Sequence, residues 1–416
     1  MRRIFLFFVL VPILLSLETF SLKNGMKLIL VQRDIPAVFM ATYYRAGSFF
    51  DPPGQEGLAY LSSRLSFVSR RKTRPWEQIF FLKRVGGEIN VEVNQDFSVF
   101  FSYFPKEEFP LALWYEMERM KPPLVSRERF ERTKAQLSQE LFEQMTGNPW
   151  LAIYSEILRG VYGETPYSHP PWGYPGNIKR ISGESFLRFY SSYYQPGMAT
   201  MIIIGNLTEA DRSLIIKMFS PLKGKNVFIP ERVDFPARDF SGNISVKGFE
   251  KPGFVLSYRI SNPGCRERVI LEMLKSYLER RLIENMERYS PEEKIKIVTS
   301  HFIYSSLFSV MYKGKDFMKI KRLIEDEITK LRVSSIKGEN LYGLQRDFIR
   351  RIREAEQNPE KWREELGILS LVYRCSEADV LSRTLSINTN SFRELVRSNL
   401  TPFNRATLYL KPWKEK

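Results

Sequence analysis

The stretch Gly57-Leu58-Ala59-Tyr60-Leu61-Ser62-Ser63-Arg64-Leu65-Ser66-Phe67 decides how this chain is read. It follows the turn-forming loop Asp51-Pro52-Pro53-Gly54-Gln55-Glu56 and reads as a short helix. A catalytic zinc ion needs three protein ligands plus water. The whole chain has two histidines, His169 and His301, and two cysteines, Cys265 and Cys375, without paired spacing. No zinc cluster is visible in that set. A serine nucleophile at Ser62 or Ser63 would need an adjacent base and an oxyanion hole, and neither has a signature here.

Working outward, Leu22 to Val31 places a turn at Asn24-Gly25 before an apolar strand, and Val38 to Tyr44 is a second strand, followed by Arg45-Ala46-Gly47-Ser48. On the other side, Arg74-Pro75-Trp76 opens a helix to Val85. Gly86-Gly87-Glu88-Ile89-Asn90-Val91-Glu92-Val93 is a strand, and Phe97 to Phe104 is its neighbour. Glu107 to Met120, Ser126 to Met145 and Ser182 to Tyr193 have helical periodicity. Thr200 to Ile204 is a strand and Leu207 to Phe219 a helix. Lys223 to Asp239 is basic and carries Pro and Gly, as a linker would. The order then repeats coarsely. Ile244 to Lys247, Phe254 to Ile260, Lys294 to His301 and Phe302 to Tyr312 are extended. Arg266 to Arg288, Phe317 to Arg332, Gly338 to Gln357 and Pro359 to Tyr373 are helical, and Arg405 to Leu410 closes the chain.

The Gly-Leu-Ala frame at 57–59, the Asn24-Gly25 strand, the Ala46-Gly47-Ser48 segment and the Gly86-Gly87 strand together resemble the insulinase/pitrilysin family of metallopeptidases, which includes the mitochondrial processing peptidase. There the helix carries G-L-A-H-x-x-E-H, an inverted zinc motif. In this chain Tyr60 replaces the first histidine, Ser63 the catalytic glutamate and Arg64 the second histidine. Glu140, with 75 residues between it and Arg64, matches the third ligand, and an isolated Glu140 cannot hold zinc. An Arg64–Glu140 ion pair in the vacated site is one expectation. His169 matches a loop position of the family. The family's substrate-gripping arginine and tyrosine find Glu287, Arg288, Tyr289 and about Val298 instead, so that pair does not carry over. The resemblance is strong over Phe20 to Asn206 and weak beyond. It implies an α+β fold of two related α/β-sandwich halves of about 200 residues each. The boundaries expected are a signal sequence at 1–19, an N-terminal domain at 20–222, a linker at 223–239 and a C-terminal domain at 240–416. It also implies that Gly87, Asn90, Val91 and Glu92 form an edge that takes peptide by strand addition. An ordinary polar edge strand is the alternative.

The excess of Lys and Arg over Asp and Glu gives a net charge of +16 and a pI near 9.6. No nucleic-acid motif accompanies it, so a solvated surface is the plainer reading. Met1-Arg2-Arg3 and the apolar run Ile4 to Leu17, interrupted by Pro12, read as an export signal. The run is short for a membrane span, which needs about 20 residues. Cys265 and Cys375 can form a disulfide or remain two buried thiols.

Zinc lowers the pKa of its bound water, and a glutamate takes the proton. Both are removed here. The expectation is therefore a pseudoenzyme of a metallopeptidase family, exported to the periplasm or secreted, holding no zinc of its own. It would form the peptide chamber of a heterodimer with an active, zinc-bearing insulinase-family subunit. It would meet peptide, no nucleic acid, and a membrane only through an uncleaved leader. The alternatives are a stand-alone exported protein whose basic surface takes acidic peptides, anionic polymer or a membrane face, and an enzyme of unrecognised chemistry.

Overall fold

The structure, a computed structural model, describes residues 17–66, 83–286 apart from 246, 248 and 250, and 295–413. The helix expected to open at Arg74 lies mostly outside the described residues, as do positions 287–289.

Two sheets carry the architecture. The first contains β1 (Leu17–Ser21), β2 (Lys27–Gln32), β3 (Ala37–Tyr44), β4 (Glu88–Val93), β5 (Ser98–Pro105) and β6 (Ala199–Gly205), in the order β1-β2-β6-β3-β5-β4. The second contains β7 (Arg238–Ser245), β8 (Gly253–Ser261), β9 (Lys296–His301), β10 (Ser305–Lys313) and β11 (Asn404–Lys411), in the order β7-β11-β8-β10-β9. The pairings repeat. β2 runs parallel to β6 as β7 does to β11, and every other neighbour is antiparallel in both sheets. β6 is buried along its whole length, which explains its unbroken Met-Ile-Ile-Ile run. The fold is α+β, built as two related halves.

The helices of the first half are α1 (Leu58–Ser66), α2 (Phe109–Arg119), α3 (Arg127–Gly147), α4 (Pro149–Tyr162), α5 (Gly183–Tyr193) and α6 (Glu209–Phe219). Those of the second are α7 (Cys265–Met286), α8 (Phe317–Val333), α9 (Gly338–Gln357), α10 (Pro359–Gly367), α11 (Glu377–Ser386) and α12 (Thr389–Asn399). One face of the first sheet packs on its own helices through Leu28, Met40, Phe100 and Met201. Its other face, with Ile29, Tyr43, Val99 and Ile202, belongs to the core of the second half.

The halves exchange helices. α4, from the first half, lies on β7, β8 and β11 of the second sheet. α10, from the second half, lies on β3 and β6 of the first. The approach is close at Gly367, where an added Cβ would fall 2.1 Å from the Tyr43 ring. Trp362 on the same helix is fully buried.

Several elements differ from the sequence reading. β7 starts at Arg238, inside the expected linker, and β1 takes in Leu17 to Thr19, placed at the end of the leader. The single helix expected from Pro359 to Tyr373 turns into a π-helix over Ile368–Tyr373 and stops at Arg374, whose φ is +55°. Cys375 follows directly, and it is joined to Cys265 in a disulfide with Cα atoms 6.3 Å apart. This closes the question the sequence left open.

Candidate functional site at the altered zinc helix

The Asp51 loop holds α1 in place. The Asp51 carboxylate accepts the N–H of Gly57 and of Ala59, each at 2.7 Å, and so satisfies donors that the first turn leaves open. Gly57 has φ +107°, and Ile178 fills the space where a Cβ would sit. Gly173, at φ +68°, lets the chain pass against the Glu56 carbonyl. Leu58, Ala59, Leu61 and Leu65 are buried, and α1 packs against α3, α5 and β4. The helix frame is therefore fully built.

The three altered positions turn towards one another. Arg64 is exposed, and its Nη2 donates to the Tyr60 hydroxyl at 3.1 Å. Its guanidinium carbon lies 5.4 Å from the centre of the Tyr60 ring, a cation–π contact one helical turn long. Ser63 is fully buried, and its hydroxyl donates to the Tyr60 carbonyl at 2.8 Å. Glu140 is exposed on α3 and makes no ion pair with Arg64 among the described residues. The expected Arg64–Glu140 pair is replaced by the local Arg64–Tyr60 contact. The donor set is thus a phenol, a serine hydroxyl, a guanidinium and the single carboxylate of Glu140 on α3. That set does not fit zinc, because the guanidinium repels a cation and only Glu140 is an anionic oxygen donor. Among the described residues no group of three His, Cys, Asp or Glu side chains could hold a metal ion.

Beside α1, β4 is the outer strand of its sheet. Ile89, Val91 and Val93 face the first core, and Glu88, Asn90 and Glu92 point the other way. The Asn90 side chain accepts the Val91 N–H at 2.8 Å, which occupies a main-chain donor of the strand. Burial and the neighbouring Glu364 push the Glu92 carboxyl up, while Arg363 lowers it. Gly87 lies in the turn entering the strand. His169 is buried in its loop with Nδ1 3.3 Å from the Pro170 carbonyl, and burial lowers its pKa. It takes no part in the site.

His301 belongs to another cluster, in the second half. Glu272 of α7 accepts from His301 Nε2 at 3.0 Å, from Arg351 Nη1 at 2.7 Å and from the Thr299 hydroxyl. Burial opposes charge on Glu272, but the His301 hydrogen bond and Arg351 hold its pKa well below the ordinary value. Burial lowers the His301 pKa while Glu272 raises it, and Ser306 lies 2.8 Å from Nδ1. Every partner in this cluster is satisfied, so it reads as structure.

A third polar centre joins the halves. Asp96 accepts the Ile303 N–H at 2.8 Å and the Tyr167 hydroxyl, and Tyr167 in turn accepts the Tyr304 N–H at 3.3 Å. Phe49 stacks near Tyr167 and Tyr304 with ring centres 5.0 and 5.2 Å away. Burial pushes the Asp96 carboxyl up to about 6. Sequence reasoning missed both Asp51 and Asp96. A carboxylate six residues before the Gly-Leu-Ala frame was the available signal for the first.

A family model described as Insulinase (Peptidase family M16) matches residues 29–168. Over these residues the chain is similar to the insulinase family. A zinc protease PqqE of Helicobacter pylori is 23% identical over 194 residues, 46% of this chain and 44% of that protein. A zinc protease of Rickettsia bellii is 24% identical over 247 residues, 56% of this chain and 59% of that protein. The chain thus matches about half the length of these relatives. Solved structures match the insulinase-type fold throughout. A protease from Helicobacter pylori gives a TM-score of 0.84 at 19% identity, covering 96% of this chain and 100% of that one. A peptidase M16 inactive domain from Pseudomonas fluorescens gives 0.82 at 15% identity, covering 97% and 100%. The periplasmic protease PqqL of Escherichia coli gives 0.77 at 15% identity, covering 95% of this chain and 47% of that one.

Proposed function

We propose that this insulinase-type chain is a non-catalytic half that forms a peptide chamber with a zinc-bearing relative. The observation that carries the reading is the self-contained Tyr60–Arg64 contact on a helix whose scaffold is intact. Selection of a water-activating site would have no use for a guanidinium there, whereas a partner-facing surface keeps the helix and discards its ligands. The Pseudomonas fluorescens domain, solved as an inactive M16 domain, and the match to about half of PqqL support the reading. The β4 edge, with Gly87, Asn90, Val91 and Glu92, would hold peptide. Zinc would belong to the partner alone. Export is part of the proposal. The Cys265–Cys375 disulfide suits an oxidising compartment, and PqqL is a periplasmic protein. Among the described residues no helix is long and apolar enough to cross a membrane.

The test is metal content and chelator-sensitive peptide cleavage by the purified chain, alone and mixed with a relative carrying an intact H-x-x-E-H. No zinc and no cleavage alone, with cleavage rising on mixing, is expected. Chelator-sensitive cleavage by the isolated chain would overturn the proposal.

A further inference from the structure

Four segments meet at one edge of the second half, around Phe249. Trp150, in the first turn of α4, sets its ring edge-on to Phe249 with centres 5.3 Å apart. The Trp413 N–H donates to the Phe249 carbonyl at 2.8 Å. Lys313 Nζ lies 4.8 Å from the centre of the Phe249 ring. The Gly314 N–H donates to the Pro252 carbonyl at 2.8 Å, which ties the turn after β7 to the turn after β10. The fourth segment is the end of β11, where the Ser245 hydroxyl donates to the Pro412 carbonyl at 3.3 Å.

The composition of this edge is unlike the rest of the surface. The described residues within 245–253, 311–319 and 409–413 hold six lysines, no arginine and one acid. Lys247, Lys313, Lys315 and Lys411 are exposed and make no ion pair among the described residues. Two tryptophans stand among them, Trp150 at 44% and Trp413 at 46% exposed. Elsewhere arginine is the commoner base, and several arginines engage carboxylates, as Arg280 and Arg350 do with Asp347.

We propose that this edge docks the chain reversibly on an anionic phospholipid surface. Lysine is a mobile, strongly hydrated point charge, suited to a diffuse field of headgroups and poorly suited to bidentate recognition. Protein interfaces are depleted in lysine, so a face whose exposed Lys247, Lys313, Lys315 and Lys411 make no ion pair among the described residues fits a lipid surface better than a folded partner. Tryptophan favours the water–hydrocarbon boundary, with its ring body apolar and its N–H wet. The edge is made of the turns after β7 and β10 and the segment that follows β11. Each lysine near such a surface strengthens binding by roughly fivefold, within a Debye length. The surface stands independently of the chamber reading, since none of its residues is in α1, α3 or β4.

The test uses the purified full chain and vesicle co-sedimentation. Vesicles are phosphatidylcholine alone or phosphatidylcholine with phosphatidylglycerol, at low and at physiological ionic strength. Binding to the anionic vesicles only, weakened by salt, is expected. The variant Lys313→Gln/Lys315→Gln/Lys411→Gln is expected to lose on the order of 100-fold in partitioning. Its unfolding temperature and circular dichroism should match the parent chain. Brominated lipid should quench the fluorescence of the parent and leave Trp150→Phe/Trp413→Phe unquenched. Equal binding to both vesicle types, an unaffected triple lysine variant, or retention on heparin or polyglutamate without vesicle binding would each overturn the proposal. Displacement by inorganic phosphate would overturn it as well, since it would point to a discrete anion site.

Discussion

Asp96→Asn isolates the charge at the junction between the halves. Asp96 is 2% exposed, and burial pushes its carboxyl from 3.8 up to about 6, against the Tyr167 hydroxyl, the Ile303 N–H, Arg268 and Arg45. A folded value above the unfolded one means that the folded chain holds the proton more tightly. The stability tied to this proton is therefore complete below about pH 4 and is lost as the pH rises through about 6. The two values correspond to about 3 kcal/mol. Asparagine has no charge to bury. It keeps one carbonyl oxygen for the Ile303 N–H or the Tyr167 hydroxyl and gives up the other acceptor, at about 1–2 kcal/mol. The variant should thus be less stable than the parent by about 1–2 kcal/mol near pH 4, gain on it through pH 4–6, and be more stable by about 1–2 kcal/mol at neutral pH. Urea unfolding followed by tryptophan fluorescence, at stepped pH, reads the difference between the two proteins. Burial lowers Arg268 only to about 10, so it keeps its charge over that range and the slope belongs to Asp96. A difference that stays flat across the range, or falls as the pH rises, would refute the account.

Other outcomes follow from single contacts. Tyr60→His/Ser63→Glu/Arg64→His should take up about one zinc per chain through both histidines and Glu140, and adding Glu140→Gln should remove it. Metal analysis after dialysis checks this, and zinc retained by the parent under the same dialysis would contradict it. Cys265→Ser/Cys375→Ser opens a loop with a sequence separation of 110. It should lower stability by about 3–5 kcal/mol, read as the urea midpoint, and an unchanged midpoint would count against the disulfide. Gly367→Ala puts a Cβ 2.1 Å from the Tyr43 ring. It should cost about 1–3 kcal/mol or more, partly recovered in a double-mutant cycle with Tyr43→Leu, and full additivity would deny the contact.

Much of the first half was legible because its signals are local. β3 and β6 read as strands from their β-branched and apolar runs, and the turn at Asn24-Gly25 fixed the entry to β2. The α1 frame was readable because Gly57, Leu58 and Ala59 persist while the ligand positions change. What stayed hidden depends on distance or on signals that were passed over. The Cys265–Cys375 pairing and the Asp96–Ile303 hydrogen bond span separations of 110 and 207 residues. No local pattern marks either. α4 was missed although Asn148 caps it and Pro149 opens it. α11 and α12 were missed although Ser376 with Asp379, and Asn388 with Ser391, form capping boxes. The π-helix was unreadable because the change at Gly367 occurs where Tyr43 of the other half presses on it.

The exchange of helices between the halves sets a schedule for biogenesis. β3 and β6 are complete once residue 205 has emerged, yet one face of their sheet waits for α10, which begins at Pro359. For more than a hundred residues of synthesis or export, Ile29, Tyr43 and Ile202 have no native cover. A nascent chain in that state presents a long apolar sheet to whatever is nearby. Severing the chain between the halves would leave each fragment carrying the other's missing lid, so the two should be recoverable only when refolded together. With this plan the sheet face stays open until the residues from Pro359 onward have been made.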